Sequence, residues 1–543
     1  MRTKSAVVAS ILMLFGVGCT EAAAPGRGKG VVFPVSCSPA TQQSFNDALA
    51  ALHSFWYAQA VKEFTAIAES EPACAMAHWG IAMSPWNQIW APPRQDALEA
   101  GATAIKRAAA ADPKTEREKD YINPALGFYT DTDKLDHRAR AGAYAAAMER
   151  IYKKYADDRE AAAFYALSLL ATANPLDATY ARQKQAGQVL EAIFKQEPDH
   201  PAAAHYLIHA YDCGPLAEMA RPAALQYAKS TPVVPHAIHM PSHTYVLLGM
   251  WREAIDANVI GEKAELDRGI PEDRLHDIDY LVYAYLQVGQ ADRAKEYVDV
   301  GMTIERDLVA AKRDVGLRAR PFTIAAIDAR YALERGNWQE AAALELRPNT
   351  RNPFIEAIPH FARAVGLARS GQPERTKDEL QKMVALQEAL VRANSPYWAR
   401  QVEIQHKIAS GWVADAEGKA AEAVAFMKAA AELESKGDTH DTLSPGPIGT
   451  TAHEALGEVL LKSGKAPEAL AQFEESLRLS KHRARGYYGA AKAASLAGNA
   501  ERFKTHVAKL AELCAVSSGS IPANLDVKSP QLTGLPCAWI ARQ

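Results

Sequence analysis

A marked excess of charge of either sign is missing from this chain: 61 Lys and Arg stand against 64 Asp and Glu, leaving a formal net charge of −3 over 543 residues. No run of Lys or Arg stands out, which argues against nucleic acid or an anionic bilayer as partner, since both are bound through concentrated positive charge. The apolar run from Ala6 to Val17 is shorter than the ~20 residues that a membrane-spanning helix requires. G-x-S-x-G, Walker A, the dinucleotide-binding glycine fingerprint and H-E-x-x-H are all absent. Nucleotide use and the common hydrolase mechanisms therefore have no support from motifs. Cysteine is sparse, with six in all.

Alanine is abundant, and glycine and proline fall mostly where helices would end, a mixture that predicts an all-α protein. A chain of this length either divides into domains or forms an elongated array. At its start, Arg2 and Lys4 precede the apolar run and small residues follow it, the order of an export signal. The end of that segment, 'FGVGC', resembles a bacterial lipobox, in which the cysteine, here Cys19, is lipidated and becomes the new N-terminus. A competing cut after Ala24 would leave Pro25 beside the scissile bond, an arrangement signal peptidases handle poorly. The expectation is an exported chain in the periplasm or outer cell envelope, touching a membrane only through its lipid anchor. In that oxidising setting Cys37 with Cys74, and Cys514 with Cys537, are candidates to pair. Cys213 is left as a buried small apolar side chain.

Internal periodicity decides the architecture. Leu456, Gly457, Leu460, Gly464, Ala469 and Phe473 fall at the offsets of the tetratricopeptide pattern, and a shift of 34 residues lands on Ala490, Ala491 and Gly498. The same register occurs early in the chain, where Ala60, Phe64 and Pro72 have A-x3-F-x7-P spacing and Trp79-Gly80 open the next unit. Each helix pair buries its apolar face only by stacking on a neighbour, so the predicted fold is a tetratricopeptide-like α-solenoid with a concave groove. Its expected parts are a signal segment 1–24, an N-terminal pair 33–110, histidine-rich repeats 111–310, central repeats 311–436, a C-terminal pair 450–515 and an irregular tail 516–543. The turn-rich stretch 'KGDTHDTLSPGPIGTT' reads as a linker.

The repeat register gives meaning to 'PAAAHYLIHAYD' and 'PHAIHMPSHTYV', because Pro201 and Pro235 open successive units 34 residues apart. His205, His209 and Asp212 share one helical stripe, as do His236, His239 and His243. A third rung reads His276, Asp279 and Tyr283. All nine fall at places that face the groove in tetratricopeptide repeats generally. Imidazoles and carboxylates converging from adjacent helices suit a transition metal ion such as Zn, Cu, Fe, Ni or Mn. The expected ligand pool is His205, His209, His236, His239, His243, His276, Asp212 and Asp279. Asp199 and Tyr283 are candidates to support it from behind. Pro241 must either kink the second helix or start it anew. The aromatics Trp56, Trp79, Trp86 and Trp90, with His53 and His78, are read as packing between helices rather than as a ligand pocket.

The strings 'CAMAHWGIAMS', 'PDHPAAAHYLIHAYD' and 'PHAIHMPSHTYVLLGMW', with their H-Y-x-I-H-x-Y-D and P-H-A-x-H-M-P-S-H motifs, resemble those of a family of exported bacterial tetratricopeptide-repeat proteins. The resemblance covers most of residues 33–515 and implies fold and export, while leaving the chemistry open. Three functions follow as expectations. One is an envelope protein whose groove binds a metal ion, with a peptide or protein partner. Another is a metal-dependent hydrolase or oxidase that uses His236 or His276 as general acid/base. The last is a metal-free scaffold for protein partners.

Overall fold

The computed structural model describes residues 30–89, 92–230, 234–312, 319–347, 352–436 and 444–518. Cys19 and the rest of the export signal, together with Trp90 and Cys537, lie outside them. Helix follows helix, with no strand among the described residues. The cause is local and repeated. In the Ala466–Leu479 helix, Ala469, Leu470, Phe473 and Ser476 are buried along one stripe, and in Ala420–Glu434 it is Ala423, Met427, Ala430 and Ala431.

Each helix packs on its successor, and alternate helices pack on each other from unit to unit, so the architecture is an all-α tetratricopeptide-like solenoid. The small-residue positions of the repeat are where neighbouring rings enter. A β-carbon added at Gly80 would lie 2.5 Å from the Phe64 ring, and one at Gly457 or Gly489 would lie 2.7 or 2.2 Å from Phe473. One apolar core runs from Val31 to Cys514. The Ala500–Ser518 helix runs past residue 515, and the residues after 518 lie outside the described ones. Cys37 and Cys74 form a disulfide that ties the segment before the first helix to the second pair. Cys514 is also disulfide-bonded, and Cys213 is a buried free thiol.

Nine helices position the site: α1 (Gln42–His53), α2 (Pro201–Ala210), α3 (Pro235–His239), α4 (Pro241–Leu248), α5 (Trp251–Arg268), α6 (Pro271–Gln287), α7 (Ala319–Glu334), α8 (Ala452–Lys462) and α9 (Ala484–Leu496). The solenoid turns back on itself, so that the start of α9 meets repeats about two hundred residues earlier. Trp251 Nε1 donates to the His482 carbonyl (2.9 Å), and the Ala484 N–H donates to Gln287 Oε1 (3.1 Å). Arg483, fully buried, donates to Tyr283 Oη (2.8 Å) and pairs with Glu454 (2.9 Å) and Glu334 (3.0 Å). Arg330, also fully buried, pairs with Asp279 at 3.3 Å. It also donates to the carbonyls of Gly446 (3.2 Å) and Pro447 (2.6 Å). The stretch read as a linker is thus, from Ser444 to Thr451, a strap packed against α6, α7 and α9.

Removing one member of a fully buried ion pair leaves the others charged and unpaired, which costs about 3–5 kcal/mol. Arg483→Ala should therefore lower the unfolding free energy by about that much in urea titration. Lys263→Ala, which breaks an exposed pair with Asp267 (2.9 Å), should change it by less than about 1 kcal/mol. Equal effects would show that the closure contributes nothing special.

Candidate metal centre

Six imidazoles gather where α2, α3, α4 and α6 meet. They form two groups of three, His205 with His209 and His236, and His239 with His243 and His276. Within each group the candidate ligand atoms all lie within 4.8 Å of one another. The paired histidines come from helix geometry, since residues four apart lie one above the other on a stripe. The Nε2 atoms of His205 and His209 are 3.1 Å apart, and those of His239 and His243 are 3.0 Å apart. Two ligands at 2.0–2.1 Å on one tetrahedral ion would be about 3.3 Å apart.

Pro241 is the first residue of α4, directly after Met240, which keeps right-handed helical dihedrals (φ −51°, ψ −39°). The bonding is interrupted while the direction is preserved, so His239 and His243 stay on one stripe across the break. Both readings of the proline hold in part: it starts a helix, and it does so without a sharp turn.

The outer nitrogens are fixed from behind. His205 Nδ1 donates to the His53 backbone carbonyl (2.7 Å), a group left without a helical partner at the end of α1. His239 Nδ1 lies 2.7 Å from Asn258 Oδ1 and 2.5 Å from Asp277 Oδ1. His243 Nδ1 lies 2.9 Å from Asp212 Oδ2, with the Tyr280 hydroxyl at 3.1 Å. These acceptors assign the proton to Nδ1 and leave the Nε2 lone pairs of His205, His239 and His243 facing inward. The third members complete the groups with unsatisfied atoms: His236 Nε2 and His276 Nδ1 are buried without a hydrogen-bond partner. His236 and His276 thus each stand with a pair.

The third rung differs from the sequence reading. Its members facing the cluster are His276 and Tyr280, whose ring centroid lies 4.9 Å from that of His239 and 5.0 Å from that of His243. α6 is wedged between α5 and α7, so its flanks serve different neighbours. Asp277 turns to α5 and His239, whereas Asp279 turns away to Arg330 on α7. Asp279 is therefore no ligand. Tyr283 lies two helical turns along from His276 and meets Arg483, so it supports the closure and not the cluster. Asp199 accepts from Gln226 Nε2 (2.8 Å). Asp212 supports His243 from behind and is not an inward ligand.

Aromatic rings wall the cluster. Phe55 meets His205 edge-on at 4.4 Å and stacks on His209 at 5.5 Å, and Tyr227 stacks on His205 at 5.2 Å. Phe55 holds a left-handed backbone (φ 55°), which costs about 1–2 kcal/mol for a residue with a β-carbon. Behind this wall, Glu160 joins His53 Nε2 (2.7 Å) and His200 Nε2 (3.2 Å). Despite desolvation, those two histidines hold its carboxyl below the usual range. Trp79 and Trp86 are buried in the core, as packing.

Burial and the mutual repulsion of neighbouring imidazoles keep His236 and His276 well below the ordinary histidine range, which favours the neutral, metal-competent form. Burial pushes Asp277 above the carboxylate range against the opposing effect of His239. Burial likewise pushes the Cys213 thiol up to about 12, so it offers no thiolate.

No protein-family model matches the chain, and no curated protein does. Among solved structures it is similar to a human IFIT1 dimer with m7Gppp-AAAA, at 12% identity and TM-score 0.37, covering 82% of this chain and 90% of that one. It is also similar to the Cut9–Hcn1 hetero-tetramer of APC/C, at 13% identity and TM-score 0.32, covering 88% of each chain. A third is the P58(IPK) TPR domain, at 12% identity and TM-score 0.20, covering 85% of this chain and 99% of that one. Similarity this low says nothing of function, and the fold rests on the chain's own helix pairs.

His205 titrates ordinarily at 6.5 and in the fold at about 3, chiefly through burial. Between those values the unfolded chain takes up a proton that the folded chain refuses, so stability falls as pH is lowered through that window. The metal-free protein should show a melting temperature that declines from pH 6.5 towards 3, and His205→Gln should flatten the decline. A melting temperature that rises on acidification would contradict this.

Proposed function

We propose that this chain is an exported tetratricopeptide-repeat protein that holds transition metal ions at two adjacent three-histidine sites and serves the cell envelope as a ligand-binding protein. The observation that carries the reading is the pair His239 and His243. Both Nδ1 atoms face oxygen acceptors, so in the neutral form two lone pairs confront each other across 3.0 Å. A cation or a shared proton must stand between them, and the additional histidine His276 favours a metal ion. The first triad supports the same reading, with His205 fixed by the His53 carbonyl and His236 Nε2 unsatisfied.

Export fits the Cys37–Cys74 disulfide, which belongs to an oxidising compartment. Lipidation of Cys19 remains the natural means of anchoring. Partner binding through the inner face is the weaker part. Arg330, Asp279, Tyr283 and Arg483 are occupied by one another and by the strap at Gly446, Pro447 and Gly449. A metal-free scaffold would have no use for six imidazoles aimed at each other. A catalytic role requires an open coordination position, which three protein ligands per ion leave available.

The test is elemental analysis of the exported protein purified without chelator, where two transition metal ions per chain are expected. Less than about a tenth of an equivalent would sink the reading. His209→Ala combined with His243→Ala should release the metal with helical circular dichroism unchanged, and full retention would place the ions elsewhere.

A further inference from the structure

We propose that the two triads form one dinuclear copper centre that binds dioxygen between its ions, an inference that rests on the metal-binding reading above. Adjacency comes first. His236 serves one triad and His239 the other from the same short helix, three residues apart, or about 4.5 Å along its axis. Across the gap the ring centroids of His236 and His239 are 6.3 Å apart, and those of His209 and His243 are 6.2 Å apart. The triads are thus adjacent, as two metals that share one small ligand at about 3.5–4 Å require.

The donor set selects the metal. Among the described residues, both groups consist of imidazole alone, with no carboxylate or thiolate. This excludes the oxygen-seeking ions Mg, Ca and Mn, and nitrogen donors place Cu highest in affinity. Imidazole suits copper, and three nitrogen donors with no fourth protein ligand leave room on each ion for a further atom.

Asp212 and Asp277 contact the outer nitrogens of the second triad and hold its imidazoles in place. When dioxygen enters, each Cu(I) gives up one electron. The products are two Cu(II) and one peroxide dianion bridging them, with the O–O bond reduced to a single bond and no proton moved. The peroxide dianion offsets part of the added positive charge of the cupric pair, as a buried site requires. Release of dioxygen returns both electrons. Phe55, Tyr227 and Tyr280 supply aromatic walls that limit the access of water to the peroxide.

The experiment loads the metal-free full chain anaerobically with Cu(I), removes excess copper and admits air. The expected result is two coppers retained per chain, one O2 taken up per pair, a near-ultraviolet peroxide-to-copper absorption and no copper paramagnetic resonance signal, because the two spins couple. In His276→Ala, at the partly exposed edge, one copper should be lost and O2 uptake with it. The remaining copper, once oxidised, should then show an ordinary isolated signal. His236→Gln should do the same from the other triad, with circular dichroism confirming that both variants fold. Two coppers retained with a resonance signal integrating to two independent Cu(II) ions, or with no O2 uptake, would overturn the dinuclear inference and leave the metal-binding reading standing. Retention of zinc but not copper would do likewise. Retention of no metal of any kind would overturn both.

Discussion

Two imidazole nitrogens 3.0 Å apart, each with its ring's proton assigned to the far side, set the terms for the rest of this structure. Neutral imidazoles do not choose that arrangement, because facing lone pairs repel and a buried polar atom without a partner costs on the order of 1–3 kcal/mol. The surroundings enforce it instead. Asp277 and Asn258 grip His239 from one side, Asp212 and Tyr280 grip His243 from the other, and the helix between them fixes the spacing. A site held this way is preorganised for a cation, and the strain of holding it open falls on neighbours such as the left-handed Phe55.

The solenoid is a suitable means of building such a site. Successive repeats put equivalent positions of adjacent helices side by side, so two pairs at i, i+4 on successive units converge without a dedicated loop. Pro241 interrupts the backbone bonding within the second pair and leaves its direction intact. The closure further along then fixes the third helix. Asp279 and Tyr283 anchor α6 to Arg330 and Arg483, so the helix that supplies His276 is clamped on the side away from the imidazoles. Residues that looked like ligands from their stripe turn out to be the mounts of the helix that carries one.

The repeat and the histidines were legible in the sequence because both depend on spacing along a single helix. Gly457, Phe473, His205, His209, His239 and His243 all follow from periods of 3.6 and 34 residues. What spacing could not decide was the azimuth of α6 between its two neighbours. Asp277 and Asp279 both lie within three residues of His276, and only the packing of α5 and α7 assigns one to the imidazoles and the other to Arg330. Asn258, Phe55 and the His53 carbonyl were invisible for a related reason: each reaches the site from another helix or from the end of one, and no periodicity marks it. The strap at residues 444–451 read as a linker because its Gly and Pro content signals a turn, whereas here those residues let the backbone press against Tyr283 and Leu333.

Burial is what makes the cluster selective and also what makes it costly. Burial and neighbouring imidazoles keep His236 and His276 well below the ordinary histidine range, and burial does the same for His205, so these three favour the neutral, nitrogen-donor form. A single divalent ion would satisfy one triad and leave the other three nitrogens facing empty space. Two ions would satisfy both, so the two triads of imidazoles, with Asp212 and Asp277 on the far nitrogens of the second, suit a pair of ions better than a single one.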